Sequence, residues 1–341
     1  MAQLQVFPCC IVALVSGLGA IAQDGPPAKR LTATRAEVAP IIDGELDDAC
    51  WEQAARATDF TVFADPNRPH SEWTIGRVCY DDANLYISAE CAVDEMDNFR
   101  GRLAEAAGGF EYDKGGVVEI FIDTNHDQQT FQQYLLHANG SSTITLSEDD
   151  VFNILNEDYL DSQATVTDTG YAIEMSFPFA MLHLHPDTAP VWGFNLSRSH
   201  DLYGESYDRD GFFSSWNSTR GQGFQTPELF GELVLNGDLS RFYWDVDFAR
   251  EPEPGDTSIQ LRVKNETGQA FVGTAALRIS HAAGGEIRHE QSLRLEPDAE
   301  KSVSFDHLVS GDDVEAKLEV SIADADGRAC YLGGTQKHDL T

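Results

Sequence analysis

Positive charge is what this chain has least of. It sets 23 Lys and Arg against 57 Asp and Glu, a formal net charge of −34. Such a surface is repelled by phosphate backbones and by anionic lipid, so nucleic acid is excluded as a partner. The excess suits a solvated acidic surface, or Asp-rich loops open to Ca²⁺. Cysteine is scarce as well. Of six, Cys9 and Cys10 fall in the apolar N-terminal segment, and Cys50, Cys79, Cys91 and Cys330 form no CxxC or zinc-like spacing. Cys79 and Cys91 flank a hairpin turn at Asp81-Asp82-Ala83-Asn84. If Tyr80 faces Leu85, Cys79 faces Tyr86, and Cys91 lies five positions further along. At ~3.4 Å per residue that exceeds the ~7 Å Cα limit for a disulfide. These two are expected to be free thiols, and a bridge from Cys50 to either stays open.

Long apolar runs are missing after residue 22, so no membrane insertion is expected of the mature chain. No GxGxxG follows a strand, and no GxxxxGK[ST], HExxH or GxSxG occurs, which removes the common nucleotide, zinc-protease and serine-hydrolase signals. His183 and His185 are the only histidine pair at i, i+2 that invites a metal reading, and ordinary surface or core histidines explain them better. With 57 carboxylates, two at glycosidase separation would be a coincidence. No catalytic constellation is seen.

The chain does carry a segment without Asp, Glu, Lys or Arg over residues 1–22, apolar from Val6 to Ala22 and ending in Ala20-Ile21-Ala22. It reads as a cleaved signal peptide, so a secreted or extracytoplasmic protein is expected, periplasmic or at the cell surface. Residues 23–36 read as a polar leader. From there to about 237, short strands alternate with Gly, Asn, Asp and Pro clusters, and only brief helices interrupt them, over Asp47–Ala54, Arg100–Ala107 and Pro178–His183. This predicts an all-β fold, a two-sheet antiparallel β-sandwich over 37–237. A Pro- and acid-rich linker over 238–256 precedes a second, smaller, immunoglobulin-like β-sandwich over 257–341.

Period-2 patterning points to one strand in particular. In Val117–Asp123, Val118, Ile120 and Ile122 form an aliphatic face for the core. The opposite face pairs Glu119 with Phe121, a carboxylate beside an aromatic, as a surface that meets sugars would. Trp216 and Tyr112 sit in polar loops and are the other candidates for such a surface. Trp51 and Trp192 read as core; Trp73 and Trp244 read either way.

Several phrases occur in order: Ile42-Asp43-Gly44-Glu45-Leu46-Asp47-Asp48-Ala49-Cys50-Trp51, Arg77-Val78-Cys79-Tyr80-Asp81, Val118-Glu119-Ile120-Phe121-Ile122-Asp123, Ala138-Asn139-Gly140, Gly170-Tyr171-Ala172-Ile173-Glu174, Trp192-Gly193-Phe194-Asn195 and Pro227-Glu228-Leu229-Phe230-Gly231. Together, over about residues 36–236, they resemble the family 9 carbohydrate-binding modules, a DOMON-like β-sandwich family. The resemblance implies non-catalytic binding of an oligo- or polysaccharide, with a glycan end clasped between two aromatic rings. Trp216 matches one ring and Glu119 the carboxylate that takes hydroxyls. Tyr112 matches the other ring loosely, because Asp113-Lys114-Gly115-Gly116 stands where an acidic residue more often precedes the strand. Leu135 stands where the family places a helping Arg. Asn139 joins Trp216, Glu119 and Tyr112 as the fourth candidate for carbohydrate binding. The resemblance requires no cofactor and admits structural Ca²⁺.

The expected role is polysaccharide recognition or breakdown by a secreted module. The alternatives are a structural or adhesive cell-surface module without a working sugar site, and an accessory part of a glycoside hydrolase system. A DOMON-like haem domain needs axial ligands, and Met175 falls in a strand that belongs to the core.

Overall fold

The computed structural model describes residues 27–106, 109–112, 114–146, 159–186, 190–201, 213–281, 284–314 and 316–336. The signal-like segment 1–22 lies outside the described residues, as does the start of the leader.

Alternation of apolar and polar residues builds two sheets over the first two thirds of the chain. An eight-stranded sheet runs Arg30–Thr32, Gly231–Val234, Val191–Asp201, Gly115–Asp123, Gln132–His137 and Ser142–Leu146, with Phe213–Ser215 attached to Val191–Asp201 and Thr61–Val62 attached to Phe213–Ser215. A six-stranded sheet runs Asp161–Val166, Gly170–Pro178, Asn84–Ala92, Thr74–Tyr80 and Thr34–Arg35, with Ala55–Ala57 beside Thr74–Tyr80. All pairings are antiparallel except two at the edges, where Arg30–Thr32 and then Thr34–Arg35 run parallel to their neighbours. The expected two-sheet antiparallel β-sandwich is therefore the fold. The leader contributes an edge strand to each sheet, switching sheets at Ala33. Short edge strands of this kind are held by backbone hydrogen bonds, and here Leu31, Ala33 and Ala36 alone are buried among the described leader residues, so the polar text concealed them.

The core lies between the sheets. Val118, Ile120 and Ile122 enter it from one side, with Phe194 and Leu196. Val78, Ile87, Ile173 and Met175 enter from the other. Burying such side chains stabilises by about 1.5–3 kcal/mol each. The hairpin register is the expected one, Tyr80 against Leu85 and Cys79 against Tyr86. Cys91 belongs to the main core, whereas Cys79 packs with Trp51 on the outer side of its sheet, and all four described cysteines are free. The Ile42–Trp51 stretch folds onto that outer side. There Glu174 accepts hydrogen bonds from Trp51 Nε1 (2.6 Å) and the Asp43 and Gly44 amides (3.0 and 2.7 Å). Gly44 is in the left-handed region (φ 88°) and lies against Thr165, so a side chain there would be strained and obstructed.

The last third forms a three-stranded sheet, Trp244–Phe248, Ser258–Asn265 and Glu300–Asp306, and a four-stranded one, Glu286–Leu295, Phe271–Ser280, Lys317–Asp324 and Ala329–Gln336. One apolar cluster fills the space between them. Trp244–Phe248 lies in the stretch expected to be linker, yet it pairs residue for residue with Ser258–Asn265.

Candidate functional site

The outer face of the eight-stranded sheet is where the sequence places its candidates. Register sets Glu119 between Leu135 and Ser197, and Ser197 opposite Ser215, so one row of the sheet crosses four strands. All nine residues of Gly115–Asp123 are buried, on both faces. The expectation that Glu119 reaches solvent is therefore corrected: it is 2% exposed. The cause is a second apolar layer. Phe121 packs with Phe224 and Phe230, and Phe63, Phe131 and Phe213 surround them. Phe63, Phe131, Phe224 and Phe230 arrive from outside the strands, where the sequence carries no periodic signal.

Glu119 is the centre of a polar cluster. Tyr112 Oη donates to Oε1 at 2.6 Å, Ser199 Oγ to the same oxygen at 2.9 Å, and Gln133 Nε2 to Oε2 at 2.6 Å. Tyr112 Oη and Ser199 Oγ are themselves 2.6 Å apart, and Gln225 Nε2 donates to Gln133 Oε1 at 2.7 Å. Burial pushes the Glu119 carboxyl above its ordinary range, and the three donors act against that shift. The neighbouring hydroxyls of Ser197 and Ser215 are buried with no hydrogen-bond partner among the described residues.

Tyr112 stands on the loop that enters Gly115–Asp123 and remains half-buried. The loop is fixed from below by His137, whose Nε2–H donates to the Lys114 carbonyl at 2.6 Å and whose Nδ1 accepts the Asn139 amide at 3.2 Å. Burial lowers the His137 pKa, which agrees with the neutral ring those two bonds require. Asn139 lies beside the same loop but spends its side chain on structure. Its Nδ2 donates to the Gly109 carbonyl (2.9 Å), and its Oδ1 accepts from the Ser141 amide and hydroxyl.

Trp216 is the main correction. It is 3% exposed and belongs to the core between the sheets, tilted against Phe194 with ring centroids 5.8 Å apart. Its amide bonds to the Leu196 carbonyl (2.8 Å), so it takes the core-facing parity of Leu196 and not the outward parity of Ser197 and Ser215. Of the four candidates the fold thus joins Tyr112 and Glu119 directly, sets Asn139 nearby, and sends Trp216 to the opposite side of the sheet. Ser199, Gln133 and Gln225 were missed. Ser199 shares the outward parity of Ser197 on Val191–Asp201, and what sets it beside Glu119 is a partner strand that the sequence does not name.

The admitted Ca²⁺ can be tested against the loop Asp123–Thr130, where Asp123, Asn125 and Asp127 alternate. Asp127 Oδ1 accepts the Gln129 and Thr130 amides, and its Oδ2 faces Thr130 Oγ1. Asn125 Oδ1 accepts the Asp127 amide. Asp123 Oδ1 is buried with no hydrogen-bond partner among the described residues, and Asp123 Oδ2 accepts the Gln128 amide at 3.0 Å. Among the described residues no three His, Cys, Asp or Glu converge on a metal position. His183 instead bonds the Leu332 carbonyl (2.9 Å) and stacks on Tyr331.

The fold is thus a two-sheet antiparallel sandwich with a carboxylate-centred polar cluster beneath the outer face of one sheet. Comparison with known proteins gives the family. The chain belongs to the carbohydrate family 9 binding domain-like family, whose model matches residues 42–238. Among solved structures, it is similar to a family 9 carbohydrate-binding module from Caldicellulosiruptor kristjanssonii in complex with cellotriose. The identity is 20%, over 61% of this chain and 94% of that one, with a TM-score of 0.43. A structure of a family 9 module from that organism in complex with glucose is 19% identical over 61% of this chain and 96% of that one, with a TM-score of 0.42. No curated protein matches the chain.

Proposed function

We propose that this is a secreted, non-catalytic carbohydrate-binding protein that serves polysaccharide recognition or breakdown. Its ligand face is the outer face of the eight-stranded sheet beside Tyr112. Membership of a carbohydrate-binding family supports the class, and the observation that carries the site is the cluster of Tyr112, Ser199 and Gln133 around buried Glu119. Sugars need planar polar partners for hydroxyls and an aromatic face for their C–H surface. Tyr112 offers the ring. Glu119, being buried, acts through its neighbours by fixing where the Tyr112 and Ser199 hydroxyls point. The charge-free segment ending at Ala22 supports export.

The test is a glycan array with the whole chain, with and without Ca²⁺, that includes cellotriose and glucose. Tyr112→Ala is expected to weaken every positive signal by about 1–3 kcal/mol, the loss of an aromatic anchor, with little change in melting temperature. Glu119→Gln is expected to weaken binding less, since an amide still accepts at one oxygen. An array without any signal would sink the proposal. It would favour the second reading, a structural or adhesive surface module, which the withdrawal of Trp216 into the core supports.

A further inference from the structure

The five tryptophans fall into two groups. Trp51, Trp192, Trp216 and Trp244 are at most 3% exposed, whereas Trp73 is 48% exposed. A single exposed aromatic needs no explanation by itself. Trp73 differs in how firmly it is held and in what surrounds it. Its neighbours Glu72 and Thr74 are 6% and 3% exposed, Glu72 being paired with Arg198 and His200. In an extended chain, two inward neighbours force the residue between them outward. The backbone is pinned as well, because the Trp73 carbonyl accepts the Ala92 amide at 2.9 Å. The indole therefore projects from a rigid base at the end of strand Thr74–Tyr80.

On one side of the ring lies a groove of about 370 Å³ along the outer face of the six-stranded sheet, opposite the face that holds Glu119. Arg77, Glu90, Thr165 and Thr169 line it. Arg77 Nη2 donates to Glu90 Oε2 at 2.7 Å, while Arg77 Nη1 is buried and has no hydrogen-bond partner among the described residues. On the other side a second depression is lined by Asp94, Asp97, Asn98 and Asp168. The ring is thus a platform between two polar walls, with an unused guanidinium donor, carboxylate acceptors and threonine hydroxyls within the same groove. A pyranose presents that pattern in reverse: an apolar face to stack and hydroxyls to pair. Carboxylates outnumber the one guanidinium, so an acidic glycan is repelled.

We propose that Trp73 and this groove form a second glycan site, separate from the Tyr112 face, for a stretch of uncharged or amino-sugar chain. It does not depend on the Tyr112 face binding anything. Trp73 is the one tryptophan whose fluorescence a surface ligand can change directly, and that supplies the test. Cellohexaose, glucosamine hexamer and polygalacturonate are titrated against the whole chain, following tryptophan emission and acrylamide quenching. Cellohexaose or glucosamine hexamer is expected to shift emission to the blue and protect against quenching, and polygalacturonate to do neither. Trp73→Ala is expected to keep the melting temperature and to lose the response, with affinity at this site down about tenfold or more. Glu119→Gln is expected to keep the response, which separates this site from the Tyr112 face. The proposal fails if neither hexamer alters the emission, if the response survives Trp73→Ala, if it disappears in Glu119→Gln, or if polygalacturonate gives the same response.

Discussion

At the scale of single residues, Trp216 is the instructive case. Its sequence neighbours are Ser214, Ser215, Asn217 and Thr219, a polar run that reads as an exposed loop. In the fold Ser214, Ser215 and Thr219 are at most 1% exposed. Asn217 is spent on the backbone, accepting from the Lys29 amide (2.9 Å) and donating to the Leu229 carbonyl (2.6 Å). For Asn217, polarity serves backbone pairing and not solvent. A β-carbon at Gly231 would lie 2.6 Å from the Trp216 ring, so that glycine is what lets the indole seat. Trp216→Ala is accordingly expected to cost about 3–5 kcal/mol of stability, read by urea unfolding. A variant of unchanged stability that has lost glycan binding would put the ring back at the ligand. Trp51 and Trp192 were legible as core because their flanking residues repeat with strand or helix period. Trp216 was not, because direction across a sheet depends on a partner strand that the linear text does not name.

At the scale of elements, the two sheets are tied at one end by a buried charge cluster. Arg198, on Val191–Asp201, crosses to the other sheet and donates to the Ala92 carbonyl at 2.7 Å. It pairs with Glu72 at 3.3 Å, and His200 Nδ1 lies 2.5 Å from the same Glu72 oxygen. Arg198 is 1% exposed and Glu72 6%. Burial alone would raise the Glu72 pKa. The hydrogen bond and charge of His200 and the charge of Arg198 outweigh it and bring the value down to about 2. Glu72→Gln leaves Arg198 buried without its counter-charge and is expected to cost about 3–5 kcal/mol at neutral pH. The sign of the pH effect follows from the depressed value. The stabilisation is complete above the unfolded pKa of about 4.3 and is lost as pH falls towards 2. The gap between the native chain and Glu72→Gln in urea unfolding is therefore expected to narrow between pH 6 and pH 3. A constant gap would show that the carboxylate charge is not what holds the sheets. The strand Val117–Asp123 was readable from its alternation, and the structure extends it only to Gly115. The ion cluster was not, since Glu72, Arg198 and His200 look like surface residues until register brings them between the sheets.

At the scale of the whole molecule, the boundary between the two sandwiches decides what can fold alone. Composition puts a linker over 238–256, since Pro252, Pro254 and their acidic neighbours read as unstructured. The fold moves the start of the second unit upstream. Trp244–Phe248 is an edge strand of its three-stranded sheet, and Trp244 and Val246 belong to its core. Trp244 is 2% exposed, packs edge-on against Phe271 at 4.6 Å, and donates from Nε1 to the Arg241 carbonyl at 3.0 Å. A fragment that begins at residue 257 loses the strand and, with it, Trp244 and Val246 from the core, and leaves Ser258–Asn265 as a bare edge. One that begins at residue 239 keeps all of them. Losing a buried Trp alone costs about 3–5 kcal/mol, comparable to the entire stability of many small domains. We therefore propose that residues 239–341 fold cooperatively on their own and that 257–341 do not. Thermal unfolding followed by circular dichroism separates the two fragments: a sigmoidal melt for the longer and a featureless slope for the shorter. A cooperative melt from 257–341 would place the boundary where composition alone puts it.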